Sequence, residues 1–315
     1  MQEKTVTFAA YIELARVPHW IKNILVLPGI LIALMMGLPL PEGFFPDLAA
    51  GFLAVGCAAS ANYVINEWLD APYDQYHPLK KDRPSVTGRV SRNGVYLEYA
   101  LLAAGSVLLA SLVNRVFLYN ILWLLLMGVV YNVRPLRTKE KPFFDVLTES
   151  INNIIRFMLG WSMVTALYLP SSSILISYWM GGAFLMAVKR LAEYRFIGDA
   201  ETAGLYRRSF RYYTEEKLLV SSLFYAMMSL FFWGVFLVKY KIEFVLSVPF
   251  FALLFCWYLT LGLRQDSVAQ RPEGLYKEYG LFLYCVFIGV LLFSLTFSES
   301  DLLRVFLRTD LIATE

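Results

Sequence analysis

Nine stretches of this 315-residue chain stay apolar for roughly twenty residues each, and that repetition constrains the fold more than any other feature. About twenty apolar residues in a helix cross a bilayer, and inside hydrocarbon a helix satisfies every backbone hydrogen bond by itself. The hydropathy places spans near 22–39, 46–68, 95–113, 116–133, 143–166, 172–192, 217–238, 243–263 and 277–297. The expected fold is therefore all-α, a polytopic membrane protein of about nine transmembrane helices. Hydrophobic residues make up 58% of the chain and charged ones 17%, a balance that a soluble domain of this length would struggle to bury.

Charge orients the spans. The N-terminus and the loops 70–92, 134–141, 189–217 and 264–277 hold 22 of the 28 Lys and Arg, whereas 39–46 and 167–172 are short and nearly uncharged. The positive-inside rule makes the basic segments cytoplasmic, which locates the protein in the inner (plasma) membrane with its N-terminus inside and its tail outside. No Gly/Ser linker divides the chain, so residues 1–315 read as one membrane domain, with 1–21 an N-terminal interfacial segment and 298–315 a short tail. The opening twenty residues are amphipathic and charged, unlike a cleavable leader. Polar loops after alternate spans hint at a two-fold repeat without residue-level similarity. Cys57, Cys256 and Cys285 sit inside apolar runs and read as small hydrophobes, and two histidines with no HExxH do not make a histidine metal site.

The chemistry concentrates in 62–92. Asn62, Asn66, Asp70 and Asp74 recur every fourth residue and share one helical face, with Glu67 beside them. A charge at the centre of a membrane helix costs ~2.5–3.5 kcal/mol on the insertion scale, so acids here signal a functional site. Asn66, Glu67, Asp70 and Asp74 form an oxygen donor set suited to Mg2+, which keeps waters and takes phosphate partners. Pro72 is expected to end or kink the helix near Asp70. A second polar stripe, Asp145, Glu149, Asn152, Asn153 and Arg156, runs at helical spacing along the fifth span. It suits either a helix-packing ladder closed by a Glu149–Arg156 pair or a site in which Arg156 meets a carboxylate, a phosphate or water. Lys189, Arg190 and Glu193 begin while the sixth span is still apolar, and a basic cluster there suits phosphate. Before the first span, Arg16-Val-Pro18-His19-Trp20-Ile-Lys22-Asn23 reads as an interfacial anchor.

The run Asn66-Glu67-x-x-Asp70-x-x-x-Asp74 resembles the NDxxDxxxD motif of the UbiA superfamily of intramembrane prenyltransferases, with Glu67 in place of the usual Asp. His77-Pro78-x-Lys80-x-x-Arg83-Pro84 continues the likeness. Three segments look closest to one subgroup, the polyprenyl-phosphate phosphoribosyltransferases. Arg16, Pro18, Trp20, Lys22 and Asn23 match an RPxQWxKN-like opening; Lys189-Arg190-Leu-Ala-Glu193 matches KRxAE; and Arg207-Arg208-Ser209-Phe-Arg-Tyr-Tyr213-Thr214 matches RKSLxxYT. Where family members with prenyl diphosphate donors carry a second Asp-rich motif, this chain has only Asp199-Ala-Glu201.

The resemblance implies an enzyme with a UbiA-like bundle around a central cavity opening to the cytoplasmic side, which transfers a phosphoribosyl group from 5-phosphoribosyl 1-diphosphate (PRPP) to a polyprenyl phosphate with Mg2+. It places Asn66, Asp70, Asp74 and Lys189 at the reaction. Lys22, Asn23, Glu67, Lys80, Arg83, Tyr131, Lys141, Asp145, Glu149, Arg156, Arg190, Glu193, Arg208, Ser209 and Tyr213 would bind the substrates, with Asp145 and Glu149 on ribose hydroxyls or a second metal. Partners are the lipid, PRPP and the bilayer. No nucleic acid is expected, and homo-oligomerisation is left open. One alternative keeps the fold and transfers a prenyl group from a polyprenyl diphosphate to an aromatic or other small acceptor. Another is a transporter, disfavoured because the acids gather at the cytoplasmic ends of the spans. The 264–274 loop is ordinary turn chemistry, and the leucine-and-charge alternation after Ser298 suits an interfacial helix.

Overall fold

The computed structural model describes residues 6–264, 267–270 and 272–299, and among these it contains helices and no strand. Helix α1 (Phe8–Ala15) leads through a 3-10 stretch, Val17–Val26, into α2 (Leu27–Met35). Then follow α3 (Phe44–Asp74), the short α4 (Pro84–Thr87), α5 (Arg92–Val113) and α6 (Arg115–Asn132). The second half holds α7 (Phe144–Val164), α8 (Ser172–Ile197), the short α9 (Ala200–Tyr206), α10 (Glu215–Tyr240), α11 (Val248–Gly262) and α12 (Tyr279–Phe297). Eight segments are long and apolar enough to cross a membrane, the first being α1 through α2 together. Helix α7 has the length, 21 residues, but carries Asp145, Glu149 and Arg156. It takes the fifth position expected from hydropathy, packed between α2, α6 and α8. The expected interfacial helix after Ser298 falls almost wholly outside the described residues, as do Gln265, Asp266 and Arg271 of the late loop.

Two local expectations change. Pro72 does not interrupt α3, which continues to Asp74. Proline removes the one hydrogen bond to the carbonyl four residues back, here Trp68, and this close to the end of the helix no further turns have to continue past it. A 31-residue helix is about 46 Å long, more than a ~30 Å hydrocarbon layer requires. The segment around Trp20 is also more than a headgroup anchor. The Trp20 indole donates to Ser60 Oγ at 2.9 Å and covers Gly56, where a Cβ would collide with the ring. Ser60 Oγ in turn donates to the Ala15 carbonyl at 2.7 Å, clamping the α1–α2 break onto α3.

Bundle packing depends on close backbone approach where small residues meet, as in other membrane helices. A Cβ on Gly29 would overlap the Phe157 carbonyl, and one on Gly160 would overlap the Val26 carbonyl, so α2 and α7 cross backbone to backbone. Phe117, Ile121, Ile155 and Phe157 fill the adjoining core. Outward-facing Leu101, Leu108 and Leu112 on α5 and Leu223, Met227 and Phe231 on α10 make a lipid-facing surface. Gly29→Ala and Gly160→Ala are each expected to lower stability by about 1–3 kcal/mol through overpacking. Thermal unfolding in detergent checks this, and unchanged melting in both would refute the close crossing.

Candidate active site

The bundle encloses a cavity of about 1800 Å³, well above the ~300–1,000 Å³ of ordinary small-molecule sites. Its inner wall is apolar, with Leu25, Phe157, Phe251, Leu254 and Ile288, and its polar end is built from α3, α7, α8 and the loops between helices.

Helix α3 supplies one wall. Asn62, Asn66, Glu67, Asp70 and Asp74 all line the cavity, as the four-residue period requires. Each side chain is held from a different part of the chain. Asn62 Nδ2 donates to the Leu124 carbonyl at 3.0 Å, and Asn66 Nδ2 to Asn132 Oδ1 at 2.5 Å. Glu67 accepts from Arg16. Asp70 Oδ1 takes Arg137 Nη2 at 2.9 Å and Lys139 Nζ at 2.5 Å. Asp74 Oδ2 takes Arg83 Nη1 at 2.5 Å. These basic partners balance acids that would otherwise be buried alone: Glu67 and Asp74 are each 2% exposed.

Among the described residues no three His, Cys, Asp or Glu side chains converge to make a ready metal cage. The donor set nevertheless fits Mg2+, which needs only one or two carboxylates when substrate phosphates complete its shell. Asp70 and Asp74, one helical turn apart with Asn66 on the same face, offer that pair. Glu67 Oε1 is buried without a hydrogen-bond partner, a further oxygen open to a cation.

The facing wall is organised by Arg190, which is 1% exposed. Its guanidinium donates through Nε to Asp145 Oδ2 at 3.3 Å and through Nη1 to Glu193 Oε2 at 3.1 Å. Its Nη2 reaches Glu149 and the Tyr131 hydroxyl, the latter at 3.1 Å. Tyr131 in turn donates to Glu149 at 2.8 Å, and Lys189 Nζ lies 3.6 Å from the same carboxylate. The Glu149–Arg156 pair considered above is therefore absent, since Lys189 and Arg190 take Glu149. Arg156 lines the cavity one turn further along α7 from Asn152.

The loops close the polar end. Lys80 Nζ bonds Glu193 at 2.8 Å and the Tyr206 hydroxyl, tying the 75–91 loop to α8. Burial alone would lower the Lys80 pKa, but the Glu193 carboxylate and Tyr206 raise it, so Lys80 is a firm cation. Arg207 Nη1 lies 3.9 Å from Asp145, and its side chain reaches the cavity. Burial outweighs the Asp70 carboxylate at Lys139 and brings it down to about 8. His77 Nδ1 accepts the Leu79 N–H at 3.1 Å, and burial, with Lys80 next, pushes its pKa down to about 3. The ring is therefore neutral when folded, whereas the unfolded chain binds a proton below about 6.5. Stability is expected to fall as pH drops from 6.5 toward 3, because the unfolded state binds more protons in that window. Asn at position 77 keeps an acceptor for Leu79 and does not titrate, so melting curves of His77→Asn should shift less with acid than those of the parent.

The cavity wall thus gathers Lys22, Lys80, Arg83, Tyr131, Arg156, Lys189 and Glu193 with the α3 acids and Glu149. Seven expected residues lie off it. Asp145 is 0% exposed and accepts from Ser209 Oγ at 3.1 Å and the Tyr213 hydroxyl at 2.6 Å, so these three with Arg190 buttress the wall from behind. That position takes Asp145 away from ribose or a second metal. Asn23 is buried outside the cavity and Lys141 is exposed at the approach to α7. Arg208 is exposed and pairs with Glu140 at 3.2 Å. Conversely, Arg16, Arg137, Lys139 and Arg207 hold or face the acids and were not among the expected site residues. Arg16 and Arg207 stand in the segments that carry the resemblance, while Arg137 and Lys139 show only as basic density in a loop; neither signal says which acid each one meets.

A family model described as the UbiA prenyltransferase family matches residues 25–286. The chain belongs to the UbiA prenyltransferase family. A decaprenyl-phosphate phosphoribosyltransferase of Mycolicibacterium smegmatis is 32% identical over 216 residues, covering 66% of this chain and 63% of that protein. The match thus spans somewhat under two thirds of that relative's length. A protoheme IX farnesyltransferase of Alkalihalophilus pseudofirmus is 28% identical over 155 residues, 48% of this chain and 47% of that one. Among solved structures, a UbiA homologue from Archaeoglobus fulgidus bound to GPP and Mg2+ superposes with a TM-score of 0.68, covering 91% of this chain and 99% of that one at 22% identity. That likeness establishes the fold, an all-helical polytopic membrane bundle. In this UbiA-family chain the Asp199-Ala-Glu201 stretch does not line the cavity, and the lining acids away from α3 are Glu13, Glu149 and Glu193. Asp199 caps the exposed start of α9, accepting the Thr202 N–H at 2.7 Å, and cavity-lining Lys189 and Arg207 flank Glu193 instead.

Proposed function

We propose that this protein transfers the 5-phosphoribosyl group of PRPP to a polyprenyl phosphate, giving polyprenyl-phosphoryl-5-phosphoribose and diphosphate. The observation that carries this reading is the number of cations gathered around the α3 acids: Lys22, Lys80, Arg83, Arg156, Lys189 and Arg207 line one cavity, where Glu149 and Glu193 engage Lys189 and Lys80. A prenyl diphosphate brings two phosphates to a site, whereas PRPP plus a lipid phosphate brings four. The phosphoribosyltransferase relative supports the same choice.

A lipid phosphate is already anionic at neutral pH, so attack at C1 needs no general base. Asp70 and Asp74, with Asn66 and the open Glu67 oxygen, would hold Mg2+, which when bound offsets charge on the departing diphosphate. Lys80, Arg83 and Arg207 bind diphosphate oxygens, while Lys22, Lys189 and the Nη groups of Arg156 take the 5-phosphate and the lipid phosphate. Arg190 keeps Glu149 and Glu193 in place, and these carboxylates in turn aim Lys189 and Lys80. The apolar wall lined by Phe157, Phe251, Leu254 and Ile288 receives the polyprenyl chain. In-line attack inverts C1. The whole chain works as one domain in the inner membrane, with the polar end of the cavity facing the cytoplasm by the positive-inside rule.

Purified protein with Mg2+ should convert labelled PRPP and polyprenyl phosphate into a labelled lipid. A prenyl diphosphate with an aromatic acceptor should give no product. Product from the second mixture alone would replace this reading with prenyl transfer, and flux into liposomes without turnover would replace it with transport.

A further inference from the structure

Asn152 and Arg156 lie one turn apart on α7, and both line the cavity. Asn152 Oδ1 is buried with no hydrogen-bond partner, and so is Arg156 Nε. The contact between them uses other atoms, Arg156 Nη1 and the Asn152 carbonyl, at 3.5 Å. No carboxylate pairs with Arg156 among the described residues, and the nearest acid along α7, Glu149, is occupied by Lys189 and Arg190. The neighbouring Asn153 is used for packing, with its amide filling the space a Cβ would need at Gly182. Asn152 has no such role. A buried polar atom left without a partner costs about 1–3 kcal/mol, and here two stand together, one an acceptor and the other a donor.

An acceptor beside a donor is the complement of a hydroxyl group, which gives one hydrogen bond and receives another. A phosphate oxygen would satisfy Arg156 Nε but would repel Asn152 Oδ1. An alkyl chain would satisfy neither. We propose that Asn152 Oδ1 and Arg156 Nε form a hydroxyl-recognising subsite that takes a sugar hydroxyl of the donor. The inference rests on the PRPP reading above and deepens it, moving ribose recognition from Asp145, which lies behind the wall, to Asn152. It also makes the site selective, because a donor lacking hydroxyls leaves both groups unpaired.

The test compares ribose 5-phosphate with inorganic pyrophosphate plus Mg2+ as calorimetric probes on the detergent-solubilised parent and on Asn152→Leu. Leucine matches asparagine in size and removes the acceptor. Ribose 5-phosphate should bind roughly tenfold more weakly to the variant, consistent with the loss of about one net hydrogen bond. Pyrophosphate should bind within twofold of the parent, and melting should hold or rise because an unpaired buried group has gone. In turnover, the variant should show a raised KM for PRPP with kcat little changed. Equal ribose 5-phosphate affinities overturn the subsite, and so does an equal loss for both probes or a fall in melting temperature that accounts for the loss. A parent that binds ribose 5-phosphate but does not turn over PRPP removes the donor reading instead, and the two-probe comparison still decides the role of Asn152.

Discussion

Asp70→Ala is expected to reduce turnover by roughly a thousandfold or more, the scale seen when a group that stabilises developing charge is removed. The geometry predicts a second consequence. Arg137 and Lys139, 7% and 4% exposed, both have Asp70 as a counter-ion. Removing that carboxylate leaves Lys139 with no carboxylate partner and Arg137 with Glu140 alone, at a cost on the order of 3–5 kcal/mol. Alanine therefore mixes a catalytic loss with a folding loss. Asp70→Asn separates them, because the amide keeps the shape and an acceptor for Arg137 while losing the charge. It should stay folded in detergent and still lack turnover with PRPP and polyprenyl phosphate. Activity within tenfold of the parent in Asp70→Asn would reject this carboxylate as a metal ligand.

Arg190→Met should be the most destabilising single change in the bundle. One guanidinium serves Asp145, Glu149 and Glu193, and its loss leaves a cluster of like charges with a diminished counter-charge. Breaking one buried pair costs about 3–5 kcal/mol, and total stability is typically about 5–15 kcal/mol, so the variant should melt far below the parent or fail to accumulate. Arg190→Lys keeps the charge but replaces a planar fork by a single ammonium that cannot span three acids. It should fold with reduced stability and lose turnover, because Lys80 and Lys189 are aimed by the carboxylates Arg190 holds. Melting of Arg190→Met within a degree or two of the parent would show that the cluster does not depend on this residue.

Much of the fold was legible because its signals are local. Twenty apolar residues cross a bilayer whatever follows them, so nine span positions could be placed from hydropathy alone. The fifth, α7, was found despite three charges because the polar residues fall on one stripe. Helical period likewise puts Asn66, Asp70 and Asp74 on a common face. What the period cannot carry is the identity of a partner. Asp70 meets Arg137 and Lys139 from a loop nearly seventy residues away, and Glu193 meets Lys80 across 113 residues. Such pairings follow from how helices stack, and several basic residues in each loop were equally eligible by type.

Sequence by itself determined the membrane class, the helix positions and the acidic face of α3, because each depends on residues within a few turns of one another. Only the tertiary structure decided which side of α7 faces the cavity. There Asp145 turns inward to Arg190, Ser209 and Tyr213, while Asn152 and Arg156 are left on the wall with buried atoms unpaired. The reason is physical: a polar stripe broader than the cavity must divide between ligand and scaffold, and the charges on neighbouring helices make that division.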